Sequence, residues 1–174
     1  MEVTDFNSLA VEDATTLLAG CLGVRRWVDE LVAGRPYDSA PALRARAHDA
    51  ARHLTDDELE AALSRHPRIG ERPPTADTDT DVSTATGTGT DEARFSHAEQ
   101  AGVADEHGQR LRDANAAYEA RFGHVFLVRA AGRSGAEILA EAERRLANDD
   151  AAEREETVTA LRDIALLRLG QVVS

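Results

Sequence analysis

Residues 24–34 read VRRWVDELVAG, and the spacing of their apolar members decides the fold class. Val24, Trp27, Val28 and Leu31 stand at i, i+3, i+4 and i+7, the interval that gathers side chains on one face of an α-helix. Gly34 follows, where a left-handed C-cap is expected. The same period returns downstream. Leu43, Ala47, Ala50, Ala51 and Leu54 form a stripe behind a Ser39 N-cap, with Pro41 tolerated in the first turn. Thr55 and Glu58 make the S/T-x-x-E capping box of a helix whose inner stripe reads Leu59, Ala62, Leu63 and His66. Pro67 pushes its predecessor out of the α region, so His66 belongs at the helix exit.

Further along, a helix is expected from about Asp105 to Phe122, with Leu111, Asn115, Tyr118 and Phe122 on one face and Gly123 ending it. HVFLVRAAG, residues 124–132, is β-branched and aromatic and reads as an extended segment crossing the core, too isolated to build a sheet. Ser134 and Glu137 form a second capping box, opening a helix with Ile138, Leu139, Ala142 and Leu146. The last helix follows Asn148-Asp149-Asp150 and carries Val158, Leu161, Ile164 and Ala165. The chain is therefore expected to be all-α, a single-domain bundle of about seven or eight helices spanning residues 1–174. Between its halves, Arg72 to Asp91 is a low-complexity run of Thr, Asp and Gly with two prolines, and a flexible loop is expected over about 72–94.

Composition narrows the function. The 174 residues carry 20 basic and 32 acidic side chains, a formal charge of −12, and every basic residue is Arg. These arginines are interleaved with acids, as in ERRLANDDAAERE, so no basic footprint for nucleic acid forms. Cys21 is the sole cysteine, which leaves no intrachain disulfide or thiolate cluster. No apolar run approaches a membrane span, and the N-terminal stretch lacks the basic and apolar regions of a secretion signal. A cytoplasmic location is expected. No His, Cys or carboxylate spacing matches a metal motif and no glycine-rich phosphate cradle follows a strand, so neither metal nor organic cofactor is expected.

Four stretches hold residue types that do chemistry: HPRIGER at 66–72, SHAEQAG at 96–102, NAAYEARFGHVFLV at 115–128 and AAGRS at 130–134. Each alone has a bland account. An apolar-face His at a helix end is more often structural than catalytic; Ser96 with Glu99 satisfies a capping box; Gln100 needs no more than a helix surface. Arg133, just before a helix N-cap, suits an anion but also suits an exposed ion pair. His48, His53, His97 and His107 fall on polar faces or beside the loop.

Taken in order, these segments, together with LLAGCLGVRRWVDELVAGRPY near the N-terminus and RLANDDAAEREETVTALRDIALLRL near the C-terminus, resemble the family of 2-oxo-4-hydroxy-4-carboxy-5-ureidoimidazoline (OHCU) decarboxylases. That resemblance spans most of the chain. It implies an all-helical, usually dimeric, cofactor-independent enzyme that forms S-allantoin at the end of urate degradation, functionally linked to urate oxidase and hydroxyisourate hydrolase. It implies His66 and Glu99 as catalytic groups, Pro67 shaping the turn, Ser96, Gln100 and Arg133 on substrate, and the backbone of Phe126, Leu127 and Val128 lining the pocket. The residue types suit such a reaction, since the substrate's ring imine is its own electron sink and the protein need supply only an anion anchor, a proton carrier and a shielded face. Two rival readings stay open: a helical scaffold domain, and a different cofactor-free enzyme acting on a small anion.

Overall fold

The computed structural model describes residues 1–69 and 108–174. Eight helices occur among them: α1 (Val3–Ser8), α2 (Val11–Cys21), α3 (Arg25–Ala33), α4 (Ala40–Ala51), α5 (Asp56–Leu63), α6 (Gly108–Phe122), α7 (Gly135–Arg145) and α8 (Asp150–Val172). No strand is present among the described residues, and the fold is all-α. The expected loop over 72–94 and the capping box expected at Ser96 and Glu99 lie outside the described residues.

Local chemistry sets the helix starts. Ser39 accepts from the Ala42 amide at 3.3 Å, Asp149 from the Ala152 amide at 2.8 Å, and both capping boxes close in full, Thr55 with Glu58 and Ser134 with Glu137. Glu58 also receives Arg26 of α3 at 2.8 and 3.1 Å, so one carboxylate caps α5 and ties it to α3. That Arg26 contact, first of several, lowers the Glu58 pKa. Gly123 ends α6 in the left-handed region at φ +77°, as expected.

Gly34 departs from the expectation. Its φ is −77°, a right-handed conformation any residue adopts, and the need for glycine is steric. A Cβ there would lie 2.4 Å from the Tyr37 hydroxyl oxygen, which donates to the Leu31 carbonyl at 2.9 Å.

Two apolar clusters form. The larger joins α1 to α5 with α8, around Phe6, Leu18, Trp27, Leu31, Leu43 and Leu161. Trp27 is wholly buried and its indole N–H reaches the Ala47 carbonyl at 2.9 Å, so the anchor of the opening helical stripe leaves no polar atom stranded. The smaller cluster joins α6 and α7 with Ile69, Phe126, Val128 and Ala130. The extended segment lies between them: Phe126 and Val128 face the smaller cluster and Leu127 the larger, the two-residue alternation of an extended chain serving two cores at once.

A buried ionic network braces this segment. Arg145 and Glu153, only 2% and 1% exposed, pair through Arg145 Nε and Glu153 Oε1 at 2.9 Å. Glu153 also accepts from Tyr118 Oη and, at 2.8 Å, from Asn148. Arg145 donates at 2.6 Å to the Leu127 carbonyl and at 2.9 Å to Thr157, with its guanidinium 5.1 Å from the Phe126 ring centroid. The interleaved charges of ERRLANDDAAERE therefore include a desolvated pair whose donors and acceptors are extensively satisfied, the condition under which buried charge is tolerated.

Candidate active site

α5 ends at Leu63, and one further turn carries the chain to His66, whose amide bonds the Leu63 carbonyl at 3.0 Å. The residue is 8% exposed, and Nδ1 lies 2.8 Å from the Ala62 carbonyl oxygen. A carbonyl only accepts, so this contact places the imidazole proton on Nδ1 and leaves Nε2 with a bare lone pair. Nε2 is buried and has no hydrogen-bond partner among the described residues. Burial lowers the His66 pKa from 6.5 to about 4; the Ala62 hydrogen bond opposes the shift, and the charge on Arg168 adds to it. At neutral pH this histidine is an uncharged acceptor.

The turn after His66 is clamped to α6. Asn115 Nδ2 donates to the Ile69 carbonyl at 2.8 Å, and one helical turn later Glu119 takes Arg68 in a two-pronged contact at 2.5 and 2.8 Å. That pairing lowers the Glu119 pKa. Pro67 fixes φ between the two attachment points, so His66 is held by its own helix on one side and by α6 on the other.

Arg168, on α8, is wholly buried, and its guanidinium field reaches the imidazole. Sequence reading passed over it. Only the packing of α8 into the larger cluster shows that this Arg is buried. Arg133 is exposed and lines an open depression of about 370 Å³ with Val128, Arg129, Arg145, Glu155 and Asp163; His66 is not among that depression's walls. Phe126, Leu127 and Val128 are buried, and the Leu127 carbonyl is engaged by Arg145. Ser96, Glu99 and Gln100 lie outside the described residues. No group of three His, Cys, Asp or Glu with metal-binding geometry occurs among the described residues, and none of their helices is long and apolar enough to cross a membrane.

The family model described as OHCU decarboxylase matches residues 7–170. The chain is 22% identical over 173 residues to the "Uric acid degradation bifunctional protein" of Bacillus sp. (strain TB-90), covering 99% of the chain and 32% of that protein, so it spans about a third of the length of this curated relative. A crystal structure of OHCU decarboxylase in the presence of (S)-allantoin superposes with a TM-score of 0.68 at 21% identity, over 88% of this chain and 94% of the other. A crystal structure of (S)-allantoin synthase does so with a TM-score of 0.68 at 17% identity, over 99% and 54%. These two likenesses concern the fold; with the family match covering nearly the whole chain, the protein belongs to the OHCU decarboxylase family.

Proposed function

We propose that this protein decarboxylates OHCU to S-allantoin without a metal or organic cofactor. The observation that carries the reading is His66: a buried imidazole whose proton is parked on the Ala62 carbonyl, so that Nε2 is left with no partner among the described residues, on a ring that feels the charge of the buried Arg168. In the reaction, the carbon–carbon bond to the carboxylate breaks as CO2 leaves, its electron pair forms a double bond to the ureido-bearing ring carbon, and the displaced C=N pair goes to the ring nitrogen, which takes a proton from solvent. The hydroxyl on the ring carbon that carried the carboxylate then loses its proton to become a carbonyl, and the ureido-bearing carbon gains one. Nε2 is suited to take the hydroxyl proton. Arg168 is suited to hold the carboxylate in a desolvated setting, where a guanidinium interacts most strongly.

Around this pair we place the groups expected from the family: Glu99 as a second proton-handling group, Ser96 and Gln100 reading polar edges, Pro67 and the Phe126–Val128 backbone as walls, and Arg133 as a further contact to substrate. We further infer that the chain acts as one domain, as a homodimer and in the cytoplasm, functionally linked to urate oxidase and hydroxyisourate hydrolase. The test mixes urate with urate oxidase and hydroxyisourate hydrolase, adds this protein, and follows circular dichroism. Optically active S-allantoin is expected, and racemic allantoin at high protein concentration overturns the assignment. Sedimentation analysis checks the dimer.

A further inference from the structure

Asn115 stands on the inner stripe of α6 with Leu111, Ala114 and Tyr118 and is 3% exposed. Its Nδ2 is identified by its partner, because the Ile69 carbonyl can only accept. The other end of the amide, Oδ1, is buried with no hydrogen-bond partner among the described residues. A side chain needed only for packing would be apolar here, and a buried acceptor left unpaired in a native protein calls for an explanation. Its surroundings supply one. The stretch from His66 to Ile69 carries a second orphaned acceptor, His66 Nε2, at its other end, and Asn115 is bonded directly to that stretch.

One short turn thus joins two buried lone pairs, and the ring that carries one of them feels the charge of the buried Arg168. Such a set complements a small anion that also offers N–H donors. Resting on the reaction proposed above, we propose that Asn115 is a substrate-reading residue whose Oδ1 accepts an N–H of the ureido arm. His66 and Arg168 take the hydroxyl and carboxylate end, and the ureido arm is the part of the substrate richest in N–H groups. The bond from Nδ2 to Ile69 then joins recognition of that arm to the turn that carries His66.

The experiment compares competitive inhibition by (S)-allantoin, which has the ureido arm, and by hydantoin, which has the ring without it. Wild type is expected to bind allantoin more tightly than hydantoin. Asn115→Leu should weaken allantoin by about fivefold to tenfold, the range one neutral hydrogen bond supplies, and leave hydantoin within about twofold. A merely structural role would shift both inhibitors together, and that result, or no shift in either, overturns the inference. If the Leu variant does not fold, Asn115→Thr removes the amide oxygen while keeping a small polar group, and is read by the same ratio. Wild-type turnover of OHCU is measured first, so failure of the decarboxylase reading shows as absent turnover and failure of this inference as an unchanged ratio.

Discussion

At the scale of the residue, His66 makes the sharpest demands. With its pKa lowered to about 4 by burial, it is neutral throughout the ordinary working range, so the acid limb of kcat/KM should fall near pH 4 and not between 6 and 7. The same shift bears on stability. The unfolded state takes up the proton near pH 6.5 and the folded state only near 4, so stability is complete above 6.5 and declines as pH falls through that window, by about 3 kcal/mol for this group. Urea titrations at pH 7 and pH 5 check the slope, which should flatten in His66→Gln; that variant should also lose about 10²–10⁴-fold in turnover. The two arginines are separated by substitution. Arg168→Gln is expected to lower kcat/KM by about a hundredfold or more and Arg133→Gln by less than about tenfold, measured on variants with matched far-ultraviolet spectra. His66 could be read from its neighbours, since a prolyl successor and a helical stripe mark a helix exit. Arg168 could not, because sequence periodicity places it without saying whether α8 is covered there.

Among elements, the helix starts follow from short-range chemistry and the helix junctions do not. Both capping boxes, the Ser39 cap and the Gly123 stop rest on contacts within four residues, which is why they can be read from one strand of letters. Thr55→Ala should accordingly cost about 1 kcal/mol in denaturant unfolding, and Glu58→Ala more than a cap alone, since Arg26 of α3 shares that carboxylate. Gly34 escapes a local reading because its constraint comes from Tyr37, a ring brought back by the following turn. The short α1 and the α2 that follows it were not singled out, since neither has a side-chain cap to announce it. The α6 clamp on the turn after His66 is likewise a long-range fact, pairing residues 46 and 51 positions apart. Glu119→Ala should leave the melting temperature within a few degrees, because exposed ion pairs are worth about 0–1 kcal/mol, while lowering kcat through a looser His66.

For the whole molecule, the Arg145–Glu153 network matters most. Arg145→Met strands a buried carboxylate and should cost about 3–5 kcal/mol by urea denaturation; adding Glu153→Leu should restore only part, since the Leu127 carbonyl and Tyr118 hydroxyl lose their partners too. No pattern in ERRLANDDAAERE distinguishes these two charges from their solvated neighbours, because their burial is decided by how the end of α7 and the start of α8 meet Leu127 and Tyr118. The extended segment they brace has a further consequence. Two apolar clusters on separate helices invite melting in two steps, one cluster surviving the other. Here consecutive residues alternate between them, so neither cluster can loosen without dragging the shared backbone out of the other. The two halves are bound to lose their order together, and the amides of residues 126–128 should exchange with deuterium only when the entire chain opens.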